Sequence, residues 1–206
     1  MVFHFYRLIP LLFFLLIISY SCRKDSVLVK ITDENGILTK EYYVIDDTLQ
    51  HGLALTYYDN GTDIFLEENY VKGNLHGKRI IYFPSGSPEI IEHYRHGQIH
   101  GILEVYYENG QVELTGTYTD GAMNGSVKKF YPDGQLKEEI SFRNNIEEGP
   151  FTEYHPNGEI HWTGTYHNGD NEVGELLEYD ESGTLLKKMF CDSMSVCKTT
   201  WERESL

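Results

Sequence analysis

Six glycines recur at a fixed interval: Gly61, Gly86, Gly110, Gly134, Gly158 and Gly183 each stand 24 or 25 residues after the one before. A period in the twenties marks a repeat array, in which one small unit cannot bury its apolar face alone and is stacked on its copies. An aromatic stands four residues before every one of these glycines, at Tyr57, Tyr82, Tyr106, Phe130, Tyr154 and Tyr179. A second glycine opens each unit, at Gly52, Gly77, Gly101, Gly125, Gly149 and Gly174. Asp33-Glu34-Asn35-Gly36 repeats the turn one period earlier with Thr32 in the aromatic's place, as expected of a terminal unit with a neighbour on one side only.

Each unit reads as a β-hairpin. After the turn glycine, Val112, Leu114, Gly116 and Tyr118 alternate with Gln111, Glu113, Thr115 and Thr117, and Ile160, Trp162, Gly164 and Tyr166 alternate with Glu159, His161, Thr163 and Thr165. Period-two alternation predicts strands with one face covered. Dipeptides such as Glu108-Asn109 and Pro132-Asp133 before the glycine supply tight-turn chemistry. Eleven or twelve residues further on comes a second turn, at Gly73, Gly97, Gly121 and Gly169, with Asn145 in the glycine's place in one unit. An aromatic precedes each by three, at Tyr70, Tyr94, Tyr118, Phe142 and Tyr166. Two strands and two turns per unit predict an all-β fold: an elongated single-layer antiparallel meander of about six stacked hairpins, with successive units about 10 Å apart.

Tyr70-Val-Lys-Gly73-Asn-Leu-His-Gly77, Tyr94-Arg-His-Gly97-Gln-Ile-His-Gly101 and Tyr118-Thr-Asp-Gly121-Ala-Met-Asn-Gly125 resemble the MORN repeat (membrane occupation and recognition nexus). The layout is more similar to the variant MORN repeats of bacterial proteins, including the YwqK-family antitoxins, and the resemblance covers about residues 50 to 190. It departs at Asn145, His155 and Asp180, where the units are expected to be looser. The resemblance implies binding, scaffolding or association near a membrane rather than catalysis.

Residues 1–22 are unlike the rest. Arg7 precedes the apolar run LIPLLFFLLIIS, and Cys22 follows it. A run of about a dozen apolar residues is short for a membrane span and suits a signal-peptide core. The segment resembles a bacterial lipoprotein signal, in which Cys22 would become the lipidated first residue, and Arg23-Lys24-Asp25 resembles the charged tags of surface lipoproteins. Ordinary secretion and an uncleaved anchor are the alternatives. The chain then divides into a linker and degenerate repeat at 23–50, the array at 51–190 and a C-terminal capping tail at 191–206. The expected address is the cell envelope, outside the cytoplasm, by a lipid anchor at the outer membrane or the cell surface.

Cys191 and Cys197 remain as an even pair, six residues apart between β-compatible stretches. They read either as a disulfide across a terminal hairpin in an oxidising compartment or as two free thiols in a tail. With 32 acidic against 17 basic residues and net charge −15, the surface repels phosphate backbones, so nucleic acid is not an expected partner; a basic protein partner or bound cations fit the potential better, and a merely soluble acidic surface is the other reading.

No nucleophile motif, phosphate-binding loop or cofactor signature is visible. His51, His76 and His100 precede the unit-opening glycine in three successive repeats, but side chains about 10 Å apart cannot share one ion whose ligands stand about 2.0–2.1 Å from it. A turn role fits them better, and no metal or cofactor is expected. The adjacent aromatics of Tyr57-Tyr58, Tyr82-Phe83, Tyr106-Tyr107 and Phe130-Tyr131 point to opposite faces of a strand. Tyr58, Phe83, Tyr107 and Tyr131 are therefore the candidate binding row, either as a repeated grip for a partner or as cover for the sheet. The chain reads as a non-enzymatic, lipid-anchored repeat protein offering a curved sheet to a protein or envelope partner. The alternative is an antitoxin-like protein that masks a toxin.

Overall fold

The computed structural model describes residues 26–204; residues 1–25, with the apolar run and Cys22, and residues 205–206 lie outside the described residues. Among the described residues there is no helix, and 17 strands form one antiparallel sheet, from Val27–Thr32 at one edge to Cys197–Glu202 at the other. Strands pair with their neighbours in the chain throughout, a single-layer meander. Two short strands, Gln98–Ile99 and Ala122–Met123, continue into Gly101–Tyr106 and Gly125–Phe130 across one residue each, His100 and Asn124.

The two turns of a unit differ. In the first, Gly110 N–H donates to the Tyr107 carbonyl and Tyr107 N–H to the Gln111 carbonyl, each at 2.9 Å, with Gly110 at φ 83°. This is a three-residue loop closed by a left-handed glycine bulge. In the six units, where the residue before the glycine is Asn or Asp, its side chain accepts the amide just beyond the glycine: Asn109 from Gln111 at 2.9 Å, Asp133 from Gln135 at 3.0 Å, Asn157 from Glu159 at 3.0 Å; Ser85 and Ser182 take this place in two units. The second turn is a two-residue loop with both residues left-handed, Asp120 at 48° and Gly121 at 87° between the pair Thr119 and Ala122. That is the turn whose twist matches the flanking strands.

The unit-opening glycine bends its strand. Across the turn at Lys72-Gly73, Tyr70 faces Leu75, yet Glu68 faces Arg79 rather than Gly77, so two extra residues are taken up around His76-Gly77. The same step sets Phe142 opposite Glu147 and Ile140 opposite Phe151. A shift of two residues keeps every side chain on its own face.

The buried side chains, Val44, Ala54, Glu68, Val127, Ile140, Phe151, Leu176 and Cys191, all lie on one face of the sheet. Ile140, Phe151, Leu176 and Cys191 form one cluster, with Phe142, Trp162, Tyr166, Met189 and Cys197 against it. A fully buried side chain of this kind contributes about 1.5–3 kcal/mol, so a layer with so few of them depends on its neighbours unit by unit. The aromatics before the second turn belong to this packed face, and the Phe151 and Tyr166 rings stack with centroids 4.1 Å apart.

Candidate binding surface

Hydrogen bonds between successive units run along both rims of the ribbon. At the first-turn rim, the Tyr58 hydroxyl donates to the Tyr82 carbonyl, Tyr107 to Phe130 at 2.7 Å and Tyr131 to Tyr154 at 2.8 Å. At the second-turn rim, the amides of Gly73, Gly97, Gly121, Asn145 and Gly169 donate back to carbonyls of the preceding unit at 2.8–3.0 Å. In four of the six units the residue before the opening glycine accepts from a following turn: His51 from Lys72 N–H at 3.4 Å, His100 from Asp120 at 3.3 Å, Asn124 from Asn144 at 3.0 Å, and the Glu148 carboxylate from Asn168 at 3.0 Å. His51 and His100 are thus spent on turns, while the His76 ring lies edge-on to His96 with centroids 5.6 Å apart. Among the described residues, no three His, Cys, Asp or Glu side chains converge as metal ligands.

The candidate row, Tyr58, Phe83, Tyr107 and Tyr131, read either as a grip for a partner or as cover for the sheet, is half-buried, and its three hydroxyls bond to the next unit. Expectations of looseness at the departures are not met in the bonding. His155 Nε2 stands 2.9 Å from the Tyr179 carbonyl, in the tyrosine's role. Asn145 adopts φ 68° and its side-chain oxygen accepts from Met123 N–H at 2.7 Å. Asp180 accepts from the amides of Ser182 and Thr184 at 2.9 Å, and these bonds, with the Ser182 hydroxyl first among them, hold its pKa below the ordinary aspartate range. Cys191 and Cys197 are joined by a disulfide between directly paired positions of the last two strands.

The packed face carries two parallel rows whose character swaps along the ribbon. In the central row, Ala54, Glu68, Arg79 and Glu92 lie side by side, and further on Val127, Ile140, Phe151 and Gly164 do. In the adjacent row, Leu66, Ile81, Ile90, Val105 and Leu114 come first, then Lys129, Glu138, Glu153 and Trp162. Charge therefore sits in the centre early and at the flank late. The alternating pattern held a signal for the first group: two residues before the second-turn aromatic stand Glu68 and Glu92, where later units have Gly116, Ile140 and Gly164.

The early charges are internally satisfied. Arg79 bridges both neighbours, Nη1 to Glu92 at 2.7 Å and Nε to Glu68 at 3.4 Å. Tyr70 and Tyr94 donate to the same two carboxylates, each at 3.2 Å. Burial works against the Arg79 charge, but the bond and charge of Glu92 outweigh it and raise its pKa. Burial, with Glu68 beside it, pushes the Tyr70 phenol up to about 12.

The late charges are not balanced in this way. Glu138 and Glu153 face each other across adjacent strands, and beside them an open depression of about 240 Å³ is lined by Phe151, Glu153, Trp162, Tyr166, Glu172 and Leu176. Burial raises the Glu153 pKa, and the Glu138 charge adds to it.

Comparison with protein families matches the description "MORN repeat variant" four times, at residues 75–96, 99–120, 123–144 and 147–168. No curated protein matches the chain. The hairpins on either side of the matched segment keep the same turn geometry, with Gly61 at φ 68° and Gly183 at φ 76° in their first turns. The described residues form an all-β repeat array, of which residues 75–168 match the MORN repeat variant in four consecutive copies.

Proposed function

We propose that the chain is a non-enzymatic, lipid-anchored protein of the cell envelope that holds a protein partner against the packed face of its sheet. The observation behind this reading is that face itself. It is a single layer open to solvent, set with aromatic and carboxylate side chains, and Glu68, the only buried charged group among the described residues, sits in a network that leaves it satisfied. A net charge of −15 favours a basic protein over a nucleic acid. The anchor is proposed from the apolar run and Cys22, and a disulfide at the end of the array suits an oxidising compartment.

A second reading, an antitoxin-like protein that masks a basic toxin, draws on the same charge and on the resemblance to antitoxin repeats. Fractionation separates the two. Recovery with the envelope, palmitate labelling lost in Cys22→Ala, and cross-linking of one partner in intact cells support the first; a cytoplasmic, unlabelled protein that co-purifies with a growth inhibitor supports the second and removes the first.

A further inference from the structure

We propose that the depression lined by Phe151, Glu153, Trp162, Tyr166, Glu172 and Leu176 receives an arginine side chain of the protein partner. The inference rests on the binding role proposed above and names the chemistry of one of its contacts.

Size is the first argument. About 240 Å³ lies below the roughly 300–1,000 Å³ of sites that take a whole small molecule, and suits one long side chain. Aromatic surface is the second. Trp162 and Tyr166 sit two positions either side of Gly164 on one strand, and a Cβ at Gly164 would stand 2.6 Å from the Phe151 ring, so that ring lies down on the glycine. A guanidinium stacks on such faces better than an ammonium does.

Uncompensated charge is the third. Glu138 and Glu153 are directly opposed, and like charges set directly opposite each other destabilise a sheet. Three cationic groups act here without reversing the effect of burial and Glu138 on Glu153: Lys129, engaged with Glu138 at 2.7 Å, His161, 3.7 Å from Glu153, and Lys137. Burial raises the Tyr166 pKa, and four carboxylates, Glu138, Glu153, Glu147 and Glu172, push it further. Earlier on the same face the chain builds the neutralised counterpart, with the Arg79 guanidinium between Glu68 and Glu92. The incoming arginine supplies to Glu153 and Glu172 what Arg79 supplies there.

The test uses the purified full chain and a labelled glycine-serine peptide carrying arginines, with citrulline and lysine versions, followed by fluorescence anisotropy. The arginine peptide is expected to bind at least about tenfold tighter than the citrulline one, and about threefold tighter than the lysine one. Glu153→Gln with Glu172→Gln should cost about tenfold, while Glu108→Gln with Glu181→Gln, an equal charge change at exposed turns, should leave affinity within about twofold. Because burial and Glu138 disfavour the Glu153 charge, the first pair should melt no lower than the parent, so lost binding would not be lost folding. Equal loss in both pairs, or lysine binding as tightly as arginine, overturns the proposal. Should a cellular partner be captured equally by the Glu153/Glu172 variant, the arginine subsite falls while the binding role stands; if no partner is captured from cells, the role falls as well.

Discussion

The Tyr107 hydroxyl donates to the Phe130 carbonyl at 2.7 Å, joining two units whose residues are 23 apart in the chain. Tyr58, Tyr131 and His155 make the equivalent bond; of the other two members of the series, Asp180 bonds within its own turn and Phe83 has no hydroxyl to make it. Tyr107→Phe should therefore cost about 0.5–1.5 kcal/mol, and Phe83→Tyr should add stability of similar size. Urea unfolding of the two variants checks both; a Phe83→Tyr protein no more stable than the parent would show that the rim bonds do not hold the stack.

Gly164 is placed by contact rather than by turn geometry. A Cβ there would meet Phe151 Cε1 at 2.6 Å and Leu176 Cδ1 at 2.8 Å, both packed in the one apolar cluster of the sheet. Gly164→Ala should cost about 1–3 kcal/mol. Gly116→Ala should cost less, since its nearest atom would be Val127 Cγ2 at 3.2 Å. A reversed order in thermal unfolding would mean that ring contact does not set the difference.

Removing Arg79 leaves the carboxylates of Glu68 and Glu92, on the strands either side of it, without the charge between them on the packed face. Arg79→Leu should cost about 2–3 kcal/mol, below the roughly 3–5 kcal/mol of a fully buried pair because the Arg79 side chain keeps 24% exposure. The triple change Glu68→Leu, Arg79→Ile, Glu92→Leu writes in the apolar row found later in the array and should be near neutral or stabilising. If the triple variant unfolds as readily as Arg79→Leu, the triad contributes more than its mutual neutralisation.

Alkali should loosen the sheet. Burial, and then Glu41, pushes the Tyr57 phenol up to about 12, and burial with Glu68 does the same for Tyr70, whereas an unfolded tyrosine ionises near about 10. Between those values the unfolded chain has released protons that the folded chain retains. This contribution to stability is fully present below about pH 10 and is lost as pH rises toward about 12. Tyrosinate absorbance and circular dichroism should change together in that window. Complete ionisation near pH 10 with the sheet intact would contradict it.

The period, both turns and the all-β class are legible in the sequence because glycine, Asn and aromatic spacing state them directly. Alternation also places Leu114, Gly116 and Tyr118 on one face, where the structure has them packed. It fails at the strand ends. Pairing slips by one residue between Val105 and Tyr106, so the period-two rule cannot be extended into Tyr107, whose ring turns toward the next unit instead of standing free. The Arg79 bridge was hidden for a related reason. Counting back from the turn at Lys72-Gly73 sets Gly77 opposite Glu68, and only the two residues taken up around His76-Gly77 bring Arg79 there. The opposition of Glu138 and Glu153 depends on the matching step near Gly149.

The paired rim bonds also quantise the length of the molecule. A side chain reaches a carbonyl 23 or 24 residues ahead, and a turn amide reaches one 22 or 23 residues back. Gaining or losing a whole unit therefore removes or adds donors and acceptors together, changing the span by about 10 Å and leaving the flanking copies able to join. Gaining or losing a single residue inside a strand throws both rims out of step at once. Recombination between copies is thus the gentle route by which such a ribbon changes its reach, and small insertions are confined to the loops.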